Sequence, residues 1–417
     1  MQTGHPHAHQ SIREFARRYV ELARSPAQEE KRLLWKRLNS FHYGKPLIYV
    51  RAIPYHEFFD YSVIKSEDPL LRGIETELAT AVLFRQTLKD DFIFEPWVKV
   101  RARFTTGEYY RWGVPCGMGE RPTPHGAAAF DPPLHEEADI EKVRPAKSEI
   151  DEKATAENLE KVHDAIGDIL EVVPDRQGLF SGMWNRDIST DLAKLRGLEQ
   201  IMWDVYDRPE WLHRLLGLMR DTVLEDIAAT EAAGGFRFYN HENQCMPYCE
   251  ELSPPDSSPE GRKTGELWSF MASQEFTGVG PDLYEEFMLN YQKPIMERFG
   301  LIAYGCCEDM SAKIPLLRTI KNMRRLAITP FSDLRKCAEQ IGGDFVASYR
   351  PAPTDMIAQG LDEDLVRHII RRDFEILREN HCVFDVTLKD VETIAGKAGD
   401  MIRWVSVVRE LGEEIFG

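Results

Sequence analysis

The chain predicts an α/β protein, a barrel of the (β/α)8 TIM type with helices before it and long loop insertions within it. Two observations carry that expectation. Short apolar runs ending in clusters of polar residues recur along the chain, as buried parallel strands do, and stretches with helical apolar spacing stand between them. The 417 residues, 43% of them hydrophobic, are also enough to bury one large core.

Residues 1–45 read as a tail and a helical extension. His5, His7 and His9 alternate in a start that is poor in apolar residues, and apolar spacing near the helical period predicts helices over 12–22 and 30–38. These helices are expected to cover one end of a barrel formed by residues 46–417. Its strands are expected at 46–50, 91–98, 178–187, 236–245, 301–303, 325–333, 345–351 and 382–388. Between them, residues 101–150 shift to Gly, Pro and charge, and residues 250–266 are turn-rich and polar. Both read as lid-like insertions over the barrel.

The densest chemistry lies in Leu301-Ile-Ala-Tyr-Gly-Cys-Cys-Glu-Asp-Met310, where an apolar run stops at a glycine and is followed by two thiols and two carboxylates. Active sites of such barrels gather at the carboxyl ends of the strands. Tyr304, Cys306 and Glu308 are therefore candidates for acid, base or nucleophile, together with Asp187 at the end of the 178–187 run. Arg51, Trp184, Ser348, Arg350 and Lys389 stand at other strand ends as candidates for substrate binding. Cys306, Cys307, Glu308 and His241 are residue types that suit zinc. Adjacent side chains on a strand point to opposite faces, so both thiols serve one site only if the strand has ended, and Gly305 permits the bend.

The net charge of −17 argues against a nucleic-acid backbone or an anionic membrane as partner, and any anionic ligand then needs a local basic pocket. No run approaches the roughly 20 apolar residues of a membrane span, and the start lacks the apolar core of a signal peptide. A cytoplasmic protein is expected. Seven cysteines, two of them adjacent, fit reduced thiols better than a disulfide framework.

Asp191-Leu-Ala-Lys-Leu-Arg-Gly-Leu-Glu199, Met202-Trp-Asp-Val-Tyr-Asp-Arg-Pro-Glu210 and Tyr284-Glu-Glu-Phe287, with the order of strands after them, resemble the uroporphyrinogen decarboxylase superfamily and its methyltransferase-like branches. The resemblance covers most of the chain. It implies the barrel, and for Arg51 a role in meeting substrate carboxylates. The decarboxylases' second arginine is replaced by Tyr55, and their aspartate after the aromatic of the second strand is replaced by Glu95 after Phe94. The corrinoid-linked methyltransferases hold zinc through His-x-Cys and a later cysteine. Here Cys306 matches, Tyr304 stands at the histidine position, and the later cysteine is absent near Arg350.

The resemblance thus implies a methyltransferase-like enzyme moving a methyl group from a small methylated substrate to a corrinoid protein or a thiol. The chain has no Asp-x-His-x-x-Gly run, so a corrinoid is expected only on a separate partner. The alternatives are a metal-independent decarboxylase or lyase acting on a small organic acid, or a non-catalytic ligand-binding barrel. Whether the chain forms a homodimer is left open.

Overall fold

A computed structural model of the chain describes residues 9–119, 128–129, 131–237 and 246–417. Among them are eight strands: β1 (Ile48–Val50), β2 (Trp97–Arg101), β3 (Glu171–Asp175), β4 (Trp268–Met271), β5 (Leu301–Tyr304), β6 (Met323–Ile328), β7 (Val346–Tyr349) and β8 (Val383–Leu388). Six form one parallel sheet in the order β1-β8-β7-β6-β5-β4, while β2 and β3 pair with each other in a separate sheet. The larger sheet sweeps an arc of 191° and its edges stand 16 Å apart. The closed eight-stranded TIM barrel expected from the sequence is therefore not formed. The structure is an open half-barrel.

Closure fails at β1, where the neighbouring strand's place is taken by side chains. The Ile48 N–H donates to the Asp91 carboxylate at 2.8 Å and the Val50 N–H to that of Asp90 at 3.1 Å. The Asp91 N–H returns a bond to the Ile48 carbonyl at 2.8 Å. Lys31 and Trp35 hold the Asp90 and Asp91 carbonyls from below, at 2.6 and 2.7 Å. With these edge groups satisfied, β1 has no need of a strand there. The expected strand at 91–98 is thus mostly loop, and β2 begins at its end to pair with β3.

Two other expected strands also differ. Residues 178–187 are turns, and Leu179, Phe180 and Ile188 pack into the main core. Phe236 and Arg237 lie in no strand, and 238–245 fall outside the described residues. β4 comes from 268–271 instead, and it pairs with β5 from Trp268 and Leu301 onward.

Of the two N-terminal helices, Pro26–Asn39 closes the lower end of the half-barrel, with Trp35 and Leu38 in the main core. Gln10–Ala23 does not. It packs with Pro69–Thr80 and Glu152–Ile166 against β2 and β3, in a second core that includes Phe15, Leu78, Val98 and Ile166.

Side chains of the half-barrel alternate between its interior and the helices outside. Tyr349 points outward, where its hydroxyl donates to Asp373 on the helix Glu363–Glu379. Arg325, Ser348, Asp385 and Thr387 point inward. Arg325 pairs with Asp385 with both side chains fully buried, and reaches Asn39 Oδ1 at 2.7 Å. Of the expected insertions, 101–150 is anchored by Trp112, whose indole N–H donates to Asp191 at 2.7 Å, and 250–266 by Thr264, whose N–H and hydroxyl donate to Glu231 at 2.6 and 2.7 Å. No helix among the described residues is long and apolar enough to cross a membrane.

Candidate active site

Chain direction changes where β5 ends. Gly305 has a φ of 104°, and a Cβ there would meet the Ala327 Cβ at 3.0 Å, so glycine is required on two counts. The turn ends the strand's alternation. As a result the Cys306 and Cys307 sulfurs lie side by side, unbonded, 3.7 Å apart.

Cys306 is buried and faces two unlike surroundings. On one side it packs with Phe270 and Ala272, against which Met183 and Trp184 are half-buried. Trp184 meets Phe270 edge-on, with ring centroids 5.0 Å apart. On the other side Lys389 donates to the Cys306 sulfur at 3.3 Å, and Arg350 donates to the Cys306 and Gly305 carbonyls. Cys307 hydrogen-bonds to Cys306, and this, with the charges of Lys389 and Arg350, outweighs burial and brings the Cys306 thiol down from 9.0 to about 6. The same bond pushes Cys307 upward, so that Cys307 keeps its proton. Cys306 is thus a thiolate at neutral pH.

Asp187 is the second ionisable group with an unusual state. It is fully buried, its Oδ2 has no hydrogen-bond partner, and the Thr190 N–H meets Oδ1 only at 3.4 Å. Burial raises its pKa well above the usual carboxylate range, and Glu275, Asp191 and Cys306 push it further. Its surroundings therefore favour the protonated carboxylic acid over the carboxylate.

The structure separates the other expected catalytic residues from this thiolate. Tyr304 follows the inward-facing Ala303, so its ring points toward the helices, where its hydroxyl donates to Gln292 Oε1 at 2.8 Å and Tyr284 donates to it at 2.8 Å. Glu308 is joined to the same network. Its carboxylate accepts from Lys313 at 2.6 Å and from the Ser273 N–H and hydroxyl at 3.0 and 2.7 Å. Ser348 lies one layer beneath the rim, 3.4 Å from Asp385 and 3.5 Å from Thr387. Arg51 is half-buried at the end of β1, and its N–H donates to the Leu388 carbonyl at 3.0 Å.

Of the four residues expected to hold zinc, Cys306 and Cys307 come together, Glu308 is held by Lys313 and Ser273, and His241 lies outside the described residues. No three His, Cys, Asp or Glu side chains among the described residues gather as a metal site. The described donors alone do not form a zinc site.

Two contributors are hard to find in the sequence. Asp390 accepts from Lys389 at 3.0 Å and from the Cys307 thiol at 3.5 Å, and its only signal is a place one residue beyond a strand-end lysine. Phe270 belongs to the strand whose position the sequence pattern does not disclose.

No family model matches the chain, and no curated protein matches it. Among solved structures, a methyltransferase from Methanosarcina mazei is similar, with a TM-score of 0.48 and 10% sequence identity over 91% of this chain and 97% of that one. A likeness this distant bears on neither activity nor substrate.

Proposed function

We propose that the chain is a methyltransferase-like enzyme in which the Cys306 thiolate accepts a methyl group from a small donor. The observation that carries the reading is the Cys306 sulfur, buried beside Phe270 and 3.3 Å from the Lys389 ammonium, so that a desolvated nucleophile is kept charged. The thiolate attacks the methyl carbon, a carbon–sulfur bond forms, and the bond to the leaving group breaks with its electron pair going to that group. Asp187, whose burial favours its protonated form, is the candidate acid for a basic leaving group. Trp184, Met183 and Phe270 exclude water from the sulfur and offer apolar contact to the methyl end. A corrinoid protein is the proposed exchange partner.

The test uses free methylcobalamin in place of that partner. Peptide mass mapping is expected to find one added methyl group on Cys306 and none in a Cys306→Ser variant. A chain that takes no methyl group, or a variant that takes it equally well, overturns the reading. A carboxy-lyase acting on a small organic acid is the second reading, and the buried Arg350, able to grip a carboxylate, favours it. That activity would release carbon dioxide and survive Cys306→Ser.

A further inference from the structure

In a chain of net charge −17, cations collect at one arc of the rim. β7, β8 and β1 are neighbours in the sheet, and each is followed at its carboxyl end by a basic residue: Arg350, Lys389 and Arg51. The opposite arc, where β4 ends, carries the apolar group of Phe270, Ala272, Met183 and Trp184. Cys306 stands between the two and touches both.

Arg350 differs from five of the six other deeply buried arginines among the described residues. Arg85, Arg111, Arg196 and Arg325 are each paired with an aspartate, and Arg324 is paired with Glu251. Arg350 is only 3% exposed, yet no carboxylate among the described residues forms an ion pair with it. Its two terminal nitrogens donate to the Cys306 and Gly305 carbonyls, and its Nε has no hydrogen-bond partner. Two of five N–H donors are therefore spent on neutral acceptors. What is left includes the Nε edge, the side-on face that binds a carboxylate through two parallel hydrogen bonds. Asp390, which acts on Arg350 through its charge, is hydrogen-bonded to Lys389 and Cys307 instead. The Cys306 thiolate and Asp390 act on this guanidinium through their charge without hydrogen-bonding to it, and a ligand carboxylate on the Nε edge would supply both charge and hydrogen bonds.

We propose that this site takes a small organic monoanion, its carboxylate held on the Nε edge of Arg350 beside Lys389 and its methyl-bearing apolar end laid against Trp184 and Phe270, where the methyl carbon faces the Cys306 sulfur. This substrate class rests on Cys306 as the working nucleophile. Opening Arg350 to the ligand requires side chains at the rim to move aside, since the Nε is covered in the structure.

Two alkylating reagents of nearly equal size, iodoacetate and iodoacetamide, serve as the probe. In each the thiolate displaces iodide, which leaves with the electron pair. A thiolate without a neighbouring anion site reacts more slowly with iodoacetate, because like charges repel. Here iodoacetate is expected to label Cys306 faster and with saturation, and propionate but not propionamide is expected to protect the thiol. Arg350→Gln should lower the iodoacetate-to-iodoacetamide rate ratio by about tenfold, the worth of one charge-assisted hydrogen bond. Because Arg350 also supports two carbonyls, protection by propionate in the unaltered chain is the independent readout. If iodoacetamide labels Cys306 readily while iodoacetate is slower and propionate does not protect, the anion site is refuted and the nucleophile stands. If neither reagent labels Cys306, both fail together.

Discussion

Replacing Lys389 with methionine removes the ammonium beside Cys306 and keeps most of the stem that packs at the rim. Opposite charges 3.3 Å apart attract by about 5 kcal/mol at an effective dielectric of about 20. Burial of the sulfur and the competing bond from Lys389 to Asp390 offset part of that. The net effect of losing one close opposite charge is a rise of roughly one to three pH units in the Cys306 midpoint. Loss of Lys389 also leaves the Asp390 charge unbalanced near both thiols, which acts in the same direction. Cys306 alkylation by iodoacetamide, followed by peptide mass against pH, is expected to show a midpoint at about 6 in the unaltered chain. In Lys389→Met, with a midpoint near about 8, the thiolate fraction at pH 6 falls from about one half to about one hundredth. An unchanged midpoint in a variant of normal melting temperature refutes the role given to Lys389, and a midpoint near 9.0 in the unaltered chain refutes the whole electrostatic argument. The same shift acts on stability. A depressed thiol pKa means that the unfolded chain binds more protons between about 6 and 9.0, so the stabilisation from Cys306 is fully present above that window and is lost as pH falls through about 6.

Two further outcomes follow from the packing. Gly305→Ala places a side chain at a φ of 104° and 3.0 Å from Ala327, and is expected to cost roughly 1–3 kcal/mol in urea denaturation while slowing Cys306 alkylation; unchanged stability and reactivity would show that the turn is not what brings the sulfurs together. Asp385→Ala leaves the Arg325 charge buried without its carboxylate and is expected to cost about 3–5 kcal/mol by the same measurement, and a loss below about 1 kcal/mol would mean that Asn39 and water suffice.

Much of the second half of the chain is legible as sequence. β5 to β8 are runs buried on both faces, so Leu301–Tyr304 is apolar throughout and Val383–Leu388 is broken only by the buried Asp385 and Thr387, each with clear polar ends. The rim residues Cys306, Arg350 and Lys389 follow from those ends. The first half is harder to read because its deciding contacts are made by side chains acting as backbone. Asp90 and Asp91 look like a charged flank before an apolar run, yet their carboxylates cap β1 and release β2 to pair elsewhere. Gly178 to Asp187 has the composition of a strand, but here it forms turns and buries Leu179 and Phe180.

By itself the sequence determines which residues have the chemistry to react: two adjacent thiols after a glycine, basic residues at strand ends, and an aspartate behind an aromatic. Only the tertiary structure decides which of them share a space. Tyr304 and Glu308, two residues from Cys306 on either side, belong to a network with Ser273, Lys313 and Gln292 on the helix side, because strand alternation turns Tyr304 away and Lys313 draws Glu308 after it. Lys389, 83 residues from Cys306, comes within 3.3 Å of its sulfur. Spacing along the chain carries no record of that approach, since it is the parallel sheet that places the ends of β5 and β8 on one rim.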